Sequence, residues 1–148
     1  LVEDICDKQR MLQCKDISLT TDIQPGIHVE TDCSLFTRML NNLCSNAYKY
    51  GKPHGNITVS LKQSQDLAIL SVADDGIGIA RENLEKIWNR FYQVEPSRNQ
   101  ETDGGGIGLG LSMVKQIADL LGGEITVEST LGKGTVFTFA LKTKNKNL

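Results

Sequence analysis

Three groups of residues in this chain have the types and spacings that chemistry needs. The first is Asn42, Asn46 and Lys49, at i, i+4 and i+7. On a helix that spacing stacks them in one stripe, about 120° round from the apolar stripe of Phe36, Met39, Leu40, Leu43, Cys44 and Ala47. Two carboxamide oxygens one turn apart, with an amine a turn further, suit Mg²⁺ and phosphate, because Mg²⁺ takes hard oxygen ligands and shares them with phosphates. The second is Asp74, at the end of an apolar run and followed by Asp75-Gly76-Ile77-Gly78-Ile79. A half-sheltered carboxylate needs a donor, and an exocyclic amine such as that of adenine is one. The third is Asp103-Gly-Gly-Gly-Ile-Gly-Leu-Gly-Leu111, where five of nine residues are glycine and a helix pattern follows at once. Glycines let backbone N–H groups crowd round an anion, and a helix N-terminus adds unpaired donors and partial positive charge. Each group alone has an ordinary alternative: a solvated helix face, an acidic turn, a flexible linker.

Composition and spacing exclude several other chemistries. A formal net charge of −2 leaves no basic footprint for nucleic acid or an anionic membrane. No apolar run here is long enough to span a bilayer, and no stretch shows the charged start and apolar middle of a signal peptide. Cys6, Cys14, Cys33 and Cys44 are widely spaced, which fits neither zinc nor a disulfide framework and reads as free thiols in a reducing cytoplasm. Lys133 is followed by Gly134, so the last glycine pair is no P-loop, and no G-x-G-x-x-G occurs. Gly76 and Gly78 stand where an EF-hand needs oxygen ligands. His28 and His54 lack the neighbours of a triad or metal site.

The elements that must position these groups follow from periodicity. Leu1 to about Cys14 carries a loose helical stripe, and residues 17–23 and 27–30 read as short strands separated by Pro25-Gly26. Asp32 or Ser34 caps a helix that runs to about Tyr50 and stops at Gly51 and Pro53. Ile57, Val59 and Leu61 alternate with polar residues, and Leu67 to Asp74 is apolar on both faces, so the pair is a hairpin with a central second strand. Residues 83–88 read as a short helix and 93–106 as a long lid or binding loop without periodicity. Val114, Ile117, Ala118 and Leu121 mark a helix stopped by Gly122-Gly123, and two further strands flank Gly132-Lys133-Gly134. The expected fold is a single-domain α/β (α+β) two-layer sandwich over residues 1–148: a mixed sheet of about five strands, three helices on one face, and a frayed tail from 143. The chain begins mid-pattern at Leu1, as a segment of a longer protein would.

In this order the motifs resemble one family. Asn42-Leu-Cys-Ser-Asn46-Ala-Tyr-Lys49-Tyr50, Asp74-Asp-Gly76-Ile-Gly78, Arg90-Phe91-Tyr92, Gly105-Gly-Ile-Gly-Leu-Gly-Leu111 and Gly132-Lys-Gly-Thr135 are similar to the N, first glycine, F, second glycine and last glycine boxes. Those boxes belong to the catalytic ATP-binding domain of two-component sensor histidine kinases, of the Bergerat (GHKL) fold. The resemblance implies Mg²⁺ on Asn46, with Asn42 a turn before it and Lys49 and Tyr50 near the phosphates and base edge. It implies adenine recognition by Asp74 beside Gly76 and Gly78, a lid packed by Phe91, and phosphates cradled by Gly106, Ile107, Gly108, Leu109 and Gly110. Gln93 replaces a common Arg, with Arg98 the candidate substitute, and Ile107 replaces a common Thr. ATP-hydrolysing branches of the superfamily carry Glu where this chain has Asn42, and an amide cannot act as a general base. The implied activity is therefore transfer of the γ-phosphoryl group of Mg-ATP to a histidine on a separate dimerisation domain, upstream of a response regulator. Neither His28 nor His54 sits in an acceptor motif, so no autophosphorylation is expected in isolation. A same-fold ATPase, a protein-serine kinase and a non-catalytic nucleotide-binding module are the alternatives. A cytoplasmic location is expected, for a parent that is either soluble or anchored in the inner membrane.

Overall fold

The computed structural model describes residues 1–12, 16–90 and 110–143. Five strands form one sheet: β1 (Ser18–Ile23), β2 (Asn56–Ser64), β3 (Leu67–Asp74), β4 (Glu124–Thr130) and β5 (Gly134–Lys142), in the order β1-β2-β3-β5-β4. β1 runs parallel to β2, and the other three pairings are antiparallel. The central strand is β3, as its two-sided apolar run predicts.

Register lines up side chains across the sheet. Val59, Val72, Phe137 and Val127 form one row, and Leu61, Leu70, Phe139 and Ile125 the next. These rows face the helices and fill the core. The row at the opposite end is Ile57, Asp74, Thr135 and Ser129. The core face of the sheet thus ends in three adjacent polar side chains, where a pleated sheet would otherwise continue its apolar stripe.

Three helices cover that face: α1 (Val2–Leu12), α2 (Cys33–Tyr50) and α3 (Gly110–Leu121). Asp32 caps α2, its carboxylate accepting from Leu35 N–H at 3.0 Å. The predicted stripe of α2 is buried in full, and Tyr48 joins it. Gly122, at φ +77°, ends α3, and Gly123 N–H closes on Ala118 O at 3.0 Å, the left-handed stop that the glycine pair predicts. Cys6 on α1 and Cys44 on α2 are fully buried free thiols in contact. Cys44 donates to Cys6, and that bond, then burial, pushes its pKa up. Cys33 is exposed, and Cys14 lies outside the described residues.

Two expectations are corrected. Residues 27–30 are not a strand: beyond the Pro25-Gly26 turn the chain leaves the sheet to reach the Asp32 cap, so Val29 packs on the core without a ladder. Residues 83–88 are not one helix but parts of two 3₁₀ turns, Arg81–Asn83 and Lys86–Trp88. Ile87 is buried and Trp88 packs edge-on to Phe137, with ring centroids 5.8 Å apart. That anchoring favours tight turns over a helical face. The expected lid over 93–106 and residues 144–148 of the expected tail lie outside the described residues, while Thr143, its first residue, donates its N–H to Asp66 O at 2.8 Å.

Candidate functional site

The site is built where the end of α2, the end of β3 and the β4–β5 hairpin converge. Tyr50 O accepts from Ile77 N–H at 3.1 Å, which ties the last residue of α2 to the turn after β3. On the other side Ile77 O accepts from Gly132 N–H at 2.7 Å. Gly78 sits at φ +72°, and a Cβ there would lie 2.2 Å from Thr130 O. Only glycine meets both demands. A turn held between two backbones leaves the carboxylate before it little freedom to move.

That carboxylate is Asp74. Its Oδ1 accepts from Gly76 N–H at 2.9 Å. Burial pushes its pKa up, the Gly76 N–H bond pulls down, the charge of Asp75 pushes up, and the Thr135 N–H pulls down. Desolvation outweighs the donors. Asp75 faces elsewhere: its Oδ1 accepts from Asn56 N–H at 3.0 Å, and its Oδ2 lies 3.9 Å from Lys52 Nζ. Of two adjacent carboxylates, one is spent on the turn before β2 and one is left at the polar end of the sheet.

Asn42, Asn46 and Lys49 are half-buried on α2, beside rather than within its apolar stripe. Asn42 Nδ2 donates to Met113 Sδ on α3 at 3.5 Å, so the first amide is held at the α2–α3 seam. Lys49 Nζ stands 5.5 Å from the centroid of the Tyr50 ring, within cation–π reach. No group of three or more His, Cys, Asp or Glu side chains that could hold a metal occurs among the described residues. The carboxamide oxygens of Asn42 and Asn46 fit a hard cation such as Mg²⁺ delivered with phosphates.

Gly110 begins α3, and a Cβ on it would meet nothing within 4 Å among the described residues. No described residue demands glycine there. Gly110→Ala should therefore leave the ligand-free domain at least as stable, since alanine is favoured in helices by up to about 1 kcal/mol. The same change should weaken ATP binding if the glycine gives phosphate access to the helix end. Thermal melts with and without ATP separate the two; an unchanged ATP-induced shift would remove Gly110 from the phosphate site. Phe91, Arg98, Gly106, Ile107, Gly108 and Leu109 lie outside the described residues.

Thr135 closes the last glycine box without a role read for it, and Ser129 escapes motif reading altogether. Ser129 looks like any strand residue, and only the pairing of β3, β5 and β4 brings it into the row of Asp74. Its one sequence signal is a polar residue two places after Val127, where alternation calls for an apolar one.

A mixed sheet with three helices on one face, a carboxylate closing the central strand and glycine turns locked against it define the GHKL class of nucleotide-binding domain. Residues 31–145 match the family described as Histidine kinase-, DNA gyrase B-, and HSP90-like ATPase, and the chain belongs to that family. Among its relatives is the sensor histidine kinase WalK of Bacillus subtilis, 39% identical over 122 residues that make up 81% of this chain and 20% of WalK. The mycobacterial sensor histidine kinase MprB superposes with a TM-score of 0.81 at 26% identity, covering 97% of this chain and 92% of the MprB chain. Full-length ShkA, solved in complex with AMPPNP, superposes with a TM-score of 0.79 at 25% identity, over 100% of this chain and 32% of that one. The chain thus spans a fifth of WalK's length.

Proposed function

We propose that this domain binds Mg-ATP and donates the γ-phosphoryl group to a histidine on a dimerisation domain of the same parent kinase, which then serves a response regulator. Asn42 carries the choice between transfer and hydrolysis. It stands one turn before Asn46, is an amide, and is engaged with Met113. An amide cannot take a proton from water, so catalysis rests on positioning and charge, as phosphoryl transfer allows.

Asp74 accepts from the exocyclic amine of adenine, with Gly76 and Gly78 shaping the turn beside the base. Tyr50 and Lys49 lie toward the base edge and the phosphates. Asn46 would hold Mg²⁺, which would supply positive charge to the phosphates. Gly106, Ile107, Gly108, Leu109 and Gly110 supply backbone donors to the phosphates, Phe91 packs the lid, and Arg98 stands in for the arginine replaced by Gln93. The acceptor nitrogen forms its bond to phosphorus as the β–γ bridging oxygen leaves with ADP. The AMPPNP bound by the structural relative ShkA supports the nucleotide assignment. No described helix is long and apolar enough to cross a membrane.

The test supplies the histidine-bearing dimerisation domain of the parent with radiolabelled ATP and Mg²⁺. Label on that domain supports the kinase reading; steady phosphate release without labelling would establish an ATPase instead. Asn46→Asp should bring labelling down by at least about 100-fold, the scale for loss of one electrostatic stabiliser. The added negative charge faces the triphosphate. Labelling that persists near the wild-type rate would move the metal to other residues.

A further inference from the structure

Ser129 makes three contacts that together saturate a hydroxyl. Its Oγ accepts from Ile79 N–H at 2.7 Å, donates to Gly134 O at 2.8 Å and lies 2.8 Å from Thr135 Oγ1. A hydroxyl has one proton. With that proton on Gly134 O, Ser129 can only accept from Thr135, so the Thr135 hydroxyl spends its own proton on Ser129. Thr135 Oγ1 is then left with acceptor capacity alone, beside the acceptor Asp74 in the neighbouring strand.

We propose that Ser129 is a positioning residue for base recognition: it pins the Asp74–Ile79 turn to the β4–β5 hairpin and fixes Thr135 as an acceptor. Asp74 and Thr135 then present acceptors only, which selects a 6-amino purine over a 6-oxo purine. The reach of one hydroxyl to Ile79, fifty residues away in sequence, carries the first half of this; its single proton carries the second. The proposal rests on the reading of Asp74 as the base-contacting carboxylate. Ser129 itself touches no ligand in this scheme.

Calorimetric titration with ADP and with IDP, on the wild type and on Ser129→Ala, tests it. IDP carries an oxygen where ADP carries the amine. In Ser129→Ala, Ile79 N–H loses its acceptor and the Thr135 hydroxyl is free to rotate and donate. ADP affinity should fall about tenfold, the scale of one hydrogen bond lost to a sheltered donor. IDP affinity should fall less or rise, so the ADP-to-IDP preference contracts. Ser129→Thr, which keeps the hydroxyl, should restore both values. A role confined to stability would lower both affinities in proportion and leave the preference intact; that result, or wild-type affinities throughout, overturns the proposal. Should Ser129→Ala fail to fold, Ser129→Cys carries the same ratio test with a weaker donor and acceptor in nearly the same volume. If Asp74→Asn also keeps full ADP affinity, the reading of Asp74 itself has failed. If Asp74→Asn loses binding while Ser129→Ala keeps the wild-type preference, only the role of Ser129 has.

Discussion

Asp74→Asn should abolish measurable ADP and ATP binding while raising, not lowering, the thermal stability of the ligand-free domain. The binding half follows from valence. Asp74 Oδ1 is already occupied by Gly76 N–H at 2.9 Å. An asparagine that keeps this bond must turn its NH₂ toward the base, so a donor meets the adenine amine. A lost charge-assisted bond and an opposed donor pair together cost about 3 kcal/mol or more, at least about 100-fold in affinity. The stability half follows from linkage. The folded-state pKa of Asp74 lies above the ordinary carboxylate value of 3.8, chiefly through burial. Between those two values the folded protein binds more protons than the unfolded chain, so stability falls as pH rises through that window. Asparagine mimics the neutral form and lacks that slope. Melting curves of both proteins should meet below the carboxylate range and separate above it, the variant being the higher. Asp75→Asn is the control: its carboxylate serves Asn56 N–H and Lys52, so ADP affinity should hold. Unchanged ADP binding by Asp74→Asn would sink the base assignment.

That pairing of outcomes shows how far a linear reading of the chain reaches. Alternation put Leu70, Val72 and Asp74 on one face, and the ladder keeps them there, because side-chain direction in a strand is a local property. The α2 stripe, the Asp32 cap and the Gly122 stop were legible for the same reason. Which strand lies beside which is not local. The row Ile57–Asp74–Thr135–Ser129 joins four strands drawn from residues 57 to 135, and no periodicity within one of them contains it. Hence Asp74 is legible in the sequence and Ser129 is not. Residues 27–30 differ for the same reason: Ile27 and Val29 alternate as a strand does, yet the chain has to leave the sheet after β1 to reach α2.

Gly76→Ala should be among the most damaging single-methyl changes in the domain, for a reason the glycine motif by itself does not disclose. Gly76 is not in a left-handed conformation, so torsional freedom is not what it contributes. A Cβ there would stand 2.1 Å from Tyr50 O and 2.9 Å from Gly51 Cα, both backbone atoms, which cannot swing aside as a side chain can. Relief requires the turn to move off the end of α2. That movement breaks Ile77 N–H to Tyr50 O and displaces Gly76 N–H from Asp74. Overpacking plus a lost hydrogen bond comes to about 3 kcal/mol, or roughly 6–12 °C in melting temperature for a domain of this size. Because the displaced N–H orients Asp74, the proposed base-reading carboxylate, ADP affinity should fall at least about tenfold in the fraction that stays folded. Gly26→Ala separates the steric cause from the torsional one: φ there is +82°, but a Cβ would meet nothing within 4 Å. It should cost only the left-handed penalty of about 1 kcal/mol and leave ADP binding unchanged. Equal losses in the two variants would mean that the α2 terminus and the turn after β3 are not in the contact that makes them one site.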